Sequence, residues 1–206
     1  KKNKKIFSHR VEHGLITNVV GQIVLKSSDL ITWEQLSIVE DADFGPSCGR
    51  DPIIELEDDT LLMPGYVGAP GRSDVSILHR SFNQGKSWDF TSLIAIDMEG
   101  KYSQMHGINF NETNILNCGN GHLIAAIRGD TTFYTTDKTF MPVGGVGKIY
   151  ISHSHDGGLC WSKPYDSGIF GQPAQLNLLK NGDILLTYGY RKKPYGTRIS
   201  ISKDLG

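Results

Sequence analysis

The chain has 206 residues, of which 38% are hydrophobic and 21% are charged, and its formal net charge is −1. This near-neutral balance gives no reason to expect nucleic acid or an anionic membrane surface as a partner. No apolar stretch is long enough to span a membrane, and the three cysteines show neither a metal-type spacing nor a disulfide framework.

A short pattern, Ser-x-Asp-x-Gly-x-x-Trp, recurs along the chain, and each copy is called a box turn below. The copies begin at Ser27 in a shortened form, at Ser81 with Asn83 in place of the acid, at Ser154 in full, and at Ser202. An Asp or Asn side chain accepts hydrogen bonds from turn amides, Gly tolerates positive φ, and Trp supplies an apolar anchor. Each copy therefore predicts a tight turn between two strands, in which Ser, Asp and Trp have structural roles.

A second repeat lies between the box turns and predicts β-hairpins over residues 53–62, 115–124 and 176–185. Asn120-Gly121 and Asn181-Gly182 are strong two-residue hairpin signals, and Asp58-Asp59 is a weaker equivalent. Aligned on these turns, the hairpins recur about every 61 residues, which indicates an array of equivalent units.

Each unit combines a hairpin, a third strand, a box turn and a last strand. Apolar residues at every second position mark the third strands, as in Val75 and Ile77, Ile149 and Ile151, or Ile199 and Ile201. Four antiparallel strands per repeat are typical of a β-propeller blade, so we predict an all-β propeller. The chain holds a little over three such units, whereas propellers need roughly four to eight blades to close. We therefore expect residues 1–206 to be a partial propeller, a fragment of a longer domain.

The longest interruption of the repeat runs from Gly129 to Gly147 and is rich in Thr, Gly and aromatic residues. A loop of this length inside a regular array is often functional, and we expect it to overhang one face of the propeller. Phe133 and Tyr134 would either contact a ligand there or pack the loop down. His153 and His155 alternate on one predicted strand, but nothing supplies further ligands, so no metal or other cofactor is predicted.

The box turns resemble the Asp boxes, or bacterial neuraminidase repeats, of the sialidase superfamily, and the similarity spans nearly all of the chain. That family folds as a six-bladed β-propeller and removes terminal sialic acid, so the resemblance implies the same architecture here. Such boxes also occur in propellers without sialidase activity, because a fold does not specify a function. Catalytic residues must therefore be sought outside the box turns.

Arg50-Asp51-Pro52 stands where the family has an Arg-x-Pro motif, so the resemblance implies that Arg50 binds a sugar carboxylate. A planar guanidinium can do this through two parallel hydrogen bonds, and the structural alternative is a pair between Arg50 and Asp51. Downstream, Asp74 opens the strand before a box turn, which is the position of the family's general acid/base. Such an acid must carry a proton, which favours a poorly solvated site that raises its pKa. The alternative for Asp74 is an ordinary turn carboxylate.

Glu112 precedes the second hairpin, and Arg128 ends it. Antiparallel strands return the chain to its starting point, so we expect Arg128 to lie beside Glu112. The resemblance implies that Glu112 activates the nucleophile and that Arg128 is a second ligand of the carboxylate. A structural salt bridge between the two residues is the alternative.

Two residues are candidates for the third arginine that would bind the sugar carboxylate. Arg191 ends the third hairpin, as Arg128 ends the second, whereas Arg198 opens the next strand, as Asp74 does, and we favour Arg198. The family nucleophile is a Tyr in a later blade, and we expect it beyond Gly206. A neutral Tyr suits an anionic substrate, which would repel a carboxylate nucleophile. Other tyrosines qualify only if the ring is arranged differently, namely Tyr66, Tyr102, Tyr188 and Tyr190.

These residues predict an exo-acting glycosidase of sialidase type, which hydrolyses terminal sialic acid or a related acidic sugar from an oligosaccharide or glycoconjugate. A non-catalytic propeller that binds carbohydrate or protein is the alternative, motivated by the imperfect surroundings of Arg50 and the unassigned nucleophile. A third possibility keeps the fold and the acid but acts on another sugar. The compartment and the oligomeric state stay open.

Overall fold

The structure of the protein is a computed structural model that describes residues 9–12, 15–18, 21–39, 46–68, 73–97, 107–134, 140–142 and 147–205. Every regular element in these ranges is a β-strand, and every strand pairing is antiparallel. No helix in the described part of the chain is long and apolar enough to cross a membrane.

The strands form one short hairpin and four further sheets, numbered here in chain order. The hairpin consists of β1 (His9–Glu12) and β2 (Leu15–Asn18), and the first sheet of β3 (Gln22–Lys26) and β4 (Glu34–Val39). The second sheet contains β5 (Ile54–Glu55), β6 (Leu61–Val67), β7 (Val75–Ser81) and β8 (Asp89–Ala95).

The third sheet contains β9 (Gly107–Asn117), β10 (Leu123–Tyr134), β12 (Lys148–Ser154) and β13 (Tyr165–Phe170), and the short β11 (Phe140–Pro142) pairs with β10. The fourth sheet contains β14 (Ala174–Leu178), β15 (Ile184–Tyr190) and β16 (Gly196–Ser202). The order of hairpin, third strand, box turn and last strand is thus confirmed in the second and third sheets. The predicted all-β fold with four-stranded antiparallel sheets is confirmed as well.

The hairpin turns follow the predicted positions but use two geometries. Asn120 and Gly121 have φ values of 54° and 75°, as expected for a type I′ turn with two central residues. In the third hairpin the amide of Gly182 donates to the carbonyl of Leu179, so the turn begins earlier and Gly182, with φ 89°, follows it. Asp59 takes the same left-handed position in the second sheet, with φ 64°. The loops have the same length, because the amides of Leu56, Cys118 and Leu179 each donate to the carbonyl four residues further on. The second and fourth sheets differ in that the left-handed residue follows the turn.

The box turns share one hydrogen-bond pattern. The hydroxyl of Ser154 donates to Asp156 Oδ1 at 2.8 Å, and the same oxygen accepts two backbone amides further along the turn. In the copy without an acid, Asn83 Oδ1 accepts the hydroxyl of Ser81 at 3.0 Å and the amide of Ser87 at 2.9 Å. The turn requires an acceptor oxygen and not a charge, which explains why Asn can replace Asp. The predicted structural role of the box residues is confirmed.

Each full box turn also binds the preceding sheet, a contact that the sequence did not predict. The indole of Trp161 donates to the carbonyl of Gly158 at 3.2 Å and to the hydroxyl of Ser92, on β8, at 3.1 Å. The Ser92 hydroxyl in turn donates to the Gly158 carbonyl at 2.6 Å. The same triangle recurs one sheet earlier, between Trp88, Gly85 and Ser37. These buried contacts join neighbouring sheets at the box-turn end.

Replacing Ser92 by Ala tests this contact. We expect Ser92→Ala to lower the free energy of unfolding by about 1–2 kcal/mol, because the buried Gly158 carbonyl and the Trp161 indole both lose a partner. Urea denaturation of the variant and of Ser28→Ala, a substitution at an exposed box position, provides the measurement. Equal stability of the two variants would contradict a role for Ser92 in joining the sheets.

The apolar core lies between adjacent sheets, and β10 contributes to both of its main clusters. Leu123, Ala125 and Ile127 pack with the second sheet, whereas Ile124 and Ala126 pack with the fourth. Successive residues of a strand point to opposite faces, so a strand buried on both faces is apolar throughout. This burial explains the unbroken apolar run before Arg128.

The predicted loop from Gly129 to Gly147 is partly a strand. β10 continues to Tyr134 because β9 begins at Gly107 and pairs with β10 as far as Thr132, and β11 then pairs with the end of β10. The Thr- and Gly-rich composition indicated a loop, but the long partner strand supplies the backbone hydrogen bonds that keep the segment extended. The side chains of Phe133 and Tyr134 lie outside the described residues.

Three histidines stack at the box-turn end of the third sheet. The ring of His122 lies 4.6 Å from that of His155 and 5.5 Å from that of His153, measured between centroids. Burial, with smaller contributions from the neighbouring rings, lowers the pKa of His122 and of His153. Within the described ranges, no group of three or more His, Cys, Asp or Glu side chains is arranged to hold a metal ion.

This stack predicts a loss of stability in mild acid. Because the pKa values of His122 and His153 are lower in the folded than in the unfolded chain, the unfolded chain binds more protons once the pH falls below about 6.5. The melting temperature should therefore fall between pH 7 and pH 5, and less steeply in the double variant His122→Gln/His153→Gln. Parallel pH profiles for the wild type and the double variant would contradict this prediction.

Candidate active site

The candidate site lies at the ends of the strands opposite the hairpin and box turns. Arg50 precedes β5, Asp74 precedes β7, and Arg191 directly follows β15. The amide of Gly157, in a box turn, donates to the carbonyl of Gly121, in a hairpin turn, so these two kinds of turn share the other end. The fold thus separates the structural box turns from the predicted site residues.

Asp74 is attached to β9 through both its backbone and its side chain. Its amide donates to Asn109 Oδ1 at 2.9 Å, and its carbonyl accepts the amide of Phe110 at 3.0 Å. Its carboxylate Oδ2 accepts the side-chain amide of Asn111 at 3.0 Å. A Cβ atom at Gly68 would lie 2.4 Å from the other oxygen, Oδ1, so Gly68 leaves room for the carboxyl group. These contacts hold the predicted acid/base at the junction of the second and third sheets.

Glu112 occupies a β-bulge in β9. Ile127 pairs with Thr113 and Arg128 pairs with Asn111, so Glu112 has no partner in the ladder, and its φ is 24°. A bulge changes the direction of a side chain, and a left-handed conformation costs a residue other than Gly on the order of 1–3 kcal/mol. Strain of this kind is typical of functional sites, where the surrounding structure maintains it.

Arg128 binds two carboxylates at once, as the antiparallel return of β10 predicted for one of them. Its Nη1 donates to Glu112 Oε2 at 2.7 Å and its Nε to Asp130 Oδ2 at 2.5 Å. All three side chains are about three-quarters buried. Burial alone would lower the pKa of Arg128, but the hydrogen bond with Glu112 and the charge of Asp130 outweigh it, and the pKa is raised.

Asp130 and Asp51 are two further carboxyl groups in this region. Burial raises the pKa of Asp130 against the opposing charges of Arg128 and Arg191. Burial likewise raises the pKa of Asp51, whose side chain is only 4% exposed, against the charge of Arg50 and a hydrogen bond with Asn114. The charge of Glu112 raises both pKa values further, so the three acids interact electrostatically.

Arg50 and Arg191, the other two predicted arginines at this end of the sheets, have different acidic neighbours. Arg50 Nη2 lies 3.7 Å from Asp51 Oδ1, which matches the structural alternative for Arg50, and its side chain is 39% exposed. Arg191 follows β15 directly and influences Asp130 through its charge. Arg50, Arg128 and Arg191 therefore all carry charge at the same end of the sheets.

Arg198 does not open its strand, and the prediction that it matches Asp74 in position is wrong. β16 begins at Gly196, and Arg198 pairs with Tyr188 within the ladder, whereas Asp74 precedes β7. Its guanidinium lies 3.3 Å from the ring centroid of Tyr190, a cation–π contact on an exposed surface. The connection between β15 and β16 is only five residues long, 191–195, so the strand starts earlier than the sequence pattern indicated.

The tyrosines do not change the prediction about the nucleophile. The hydroxyl of Tyr188 lies 3.4 Å from Ser200 Oγ, and the ring of Tyr190 packs on Arg198 and Phe170. Tyr66 forms a backbone bridge with Cys48, and Tyr102 lies outside the described residues. A Tyr nucleophile beyond Gly206 stays a prediction.

The sequence interpretation left Asp130 and Asn111 out of the site and treated Asp51 only as a structural partner of Arg50. Two signals were available. Asp51 is the central residue of the Arg-x-Pro motif, and Asp130 follows Arg128 by two positions, which places both side chains on one face of the strand. The contact of Asn111 with Asp74 had no signal, because it joins two separate sheets.

Comparison with known proteins gives a class of fold and no family. No protein-family model and no curated protein sequence matches the chain. Solved structures do match, and they include glycoside hydrolases. The all-β fold of this chain, with four-stranded antiparallel sheets, is consistent with a propeller of that class.

Three of these solved structures illustrate the likeness. A protein of unknown function from Dyadobacter fermentans is 22% identical, with a TM-score of 0.72 over 96% of this chain and 53% of its own. An α-L-arabinanase from Penicillium chrysogenum is 18% identical, with a TM-score of 0.65 over 88% of this chain and 54% of its own. A sialidase from Streptococcus pneumoniae is 16% identical, with a TM-score of 0.60 over 87% of this chain and 25% of its own. At these identities the likeness concerns the fold, and the chain spans about half the length of the first two structures.

Proposed function

We propose that this chain supplies part of the active site of an exo-acting β-propeller glycoside hydrolase, with an oligosaccharide or glycoconjugate as substrate. Asp74 is the general acid/base and Glu112 the second catalytic carboxylate. One observation carries the proposal: consecutive residues of β9 organise both acids, because Asn111 binds the carboxylate of Asp74 and the bulge at Glu112 directs that side chain to Arg128. Two carboxyl groups with distinct environments are what glycoside hydrolysis requires.

The chemistry follows from these positions. Protonated Asp74 donates its proton to the glycosidic oxygen while the bond from that oxygen to the anomeric carbon breaks. The nucleophile, activated by Glu112, takes the anomeric carbon, and the aglycone leaves with the proton of Asp74. Ionised Asp74 then removes a proton from water, whose oxygen attacks the anomeric carbon. The bond from that carbon to the nucleophile breaks, and Glu112 returns the proton that it had taken from the nucleophile as the sugar is released. The amide of Asn111 stabilises the ionised form of Asp74 that this second step needs.

The sequence resemblance gives the proposal a finer form, in which the substrate is terminal sialic acid or a related acidic sugar. In that form Arg50, Arg128 and a third arginine, Arg198 or Arg191, hold the sugar carboxylate, and Glu112 activates a Tyr beyond Gly206. Because Arg198 lies within a strand ladder, we take Arg191 as the third arginine. The presence of three guanidinium groups at one end of the sheets supports it. The fold does not determine which sugar is the substrate, because both a sialidase and an arabinanase share it.

Hydrolysis of chromogenic and fluorogenic glycosides by the purified full-length protein tests the general proposal. We expect release of the chromophore or fluorophore from at least one terminal glycoside. The rate of that release should be much lower in the variant Asp74→Asn. The panel should contain a fluorogenic sialoside and 4-nitrophenyl α-L-arabinofuranoside. Binding of glycans without turnover of any of these substrates would instead favour a non-catalytic propeller.

A further inference from the structure

The guanidinium of Arg128 has little capacity left for a substrate carboxylate. A carboxylate binds a guanidinium in bidentate fashion along an edge with two nitrogens, either Nε with Nη2 or Nη1 with Nη2. Asp130 already occupies Nε, and Glu112 already occupies Nη1. Neither edge therefore has both nitrogens free of a carboxylate, and the two acids outnumber the single positive charge.

The charges of the other site residues also disfavour a substrate carboxylate. The described residues of the site include four carboxyl groups, Asp51, Asp74, Glu112 and Asp130, and three guanidinium groups, Arg50, Arg128 and Arg191. Arg50 lies near Asp51, and Arg191 acts on Asp130, so the remaining positive charges also face acids. A sugar carboxylate placed beside Arg128 would meet the like charges of Glu112 and Asp130.

Gln172 adds a buried acceptor next to Asp130. Its side-chain oxygen has no hydrogen-bond partner among the described residues, and the residue is 5% exposed. A Cβ atom at Gly147 would lie 2.0 Å from Gln172 Oε1 and 2.9 Å from Asp130 Oδ1, so the two acceptors are close neighbours. Adjacent acceptors need a donor between them. A substrate carboxylate would bring further acceptor oxygens to this part of the site and no donor.

We infer, on the basis of the proposed hydrolase function, that the sugar bound beside Arg128 is uncharged. Arg128 is then a positioning residue that holds Glu112 and Asp130 in place, and not a ligand of the substrate. Asp130, whose side chain is 23% exposed, accepts a hydroxyl group of the sugar. The competing hypothesis is that the bound sugar is acidic and that Arg128 binds its carboxylate.

Paired substrates test this inference. The purified protein is assayed with 4-nitrophenyl α-L-arabinofuranoside and β-D-galactoside as uncharged substrates, and with a 4-methylumbelliferyl sialoside and β-D-glucuronide as acidic ones. We expect kcat/KM for the best uncharged substrate to exceed that for the best acidic one at least about tenfold. A preference for either acidic substrate would overturn the inference while leaving the hydrolase proposal intact.

A charge variant provides a second measurement. Asp130→Asn removes one negative charge beside Arg128. The ratio of kcat/KM for the uncharged substrate to kcat/KM for the acidic one should therefore decrease several-fold. Asp183→Asn, which makes the same change at an exposed hairpin turn of the fourth sheet, should leave the preference unchanged. An unchanged preference in Asp130→Asn would contradict the inference.

Binding separates the inference from the hydrolase proposal. If no glycoside is hydrolysed, the hydrolase proposal fails, and isothermal titration with arabinobiose and with 3′-sialyllactose decides the inference alone. Tighter binding of arabinobiose supports an uncharged ligand. Tighter binding of sialyllactose, or binding of neither, overturns it.

Discussion

Asp74→Asn is expected to reduce kcat by about 10²–10⁴-fold on a glycoside with a poor leaving group, the range over which general acid/base catalysis contributes. The substitution keeps the size of the side chain and its contact with Asn111 but removes the acidic proton that the first step transfers. A leaving group that departs without protonation needs the acid less, so the loss in the first step should be smaller with a 4-nitrophenyl glycoside than with an alkyl glycoside.

Asp183→Asn is the matched control for Asp74→Asn, because it makes the same change at an exposed turn. The measurement is steady-state turnover of both glycosides, with circular dichroism to establish that the variants are folded. Equal losses with the two leaving groups would argue that Asp74 supports the structure and does not donate a proton.

Arg128→Met has the second large expected effect, because it leaves Glu112 and Asp130 side by side without their shared cation. Removing one partner of a partly buried, charged hydrogen-bond pair costs about 2–3 kcal/mol of folding free energy. Urea denaturation at neutral pH measures that loss. The penalty should decrease as the pH is lowered, because burial raises the pKa of Asp130 and its protonation removes the repulsion from Glu112.

The kinetic result of the same substitution distinguishes two roles of Arg128. If Arg128 is a positioning residue, its loss displaces Glu112. In that case kcat should fall by about two orders of magnitude, while KM for an uncharged substrate changes little. Arg128→Lys should restore part of the stability but little of kcat, because an ammonium group cannot reproduce the planar contact with both acids. Lys180→Met, which removes a cation at an exposed hairpin turn outside the site, is the control. A rise in KM confined to acidic substrates would show instead that Arg128 binds a substrate carboxylate.

Much of the fold was predictable because its signals are local. The acceptor oxygen of Asp156 and the amides that it binds lie within one turn, and Asn120-Gly121 favours its own backbone conformation. The pair of Glu112 and Arg128 was predictable for a related reason, because a short hairpin turn returns the chain antiparallel to itself.

Other features depended on partners that lie far apart in the sequence. The hydroxyl of Ser92 meets Trp161 only because the second and third sheets pack side by side. The anchoring of Asp74 on Asn109 and Asn111 has the same origin. Arg198 was assigned by analogy with Asp74, and the register of β16 with β15 gave it a different place.

The amino-acid sequence by itself determined the repeating strands, the turns and the approach of Glu112 to Arg128, because each of these depends on residues joined by a short stretch of chain. Only the tertiary structure decided that Asp51 lies close to that pair and Gln172 close to Asp130, and that the guanidinium of Arg128 is shared between two acids. The physical reason is that burial and charge at this site come from several sheets at once, and no local pattern encodes the distance between sheets.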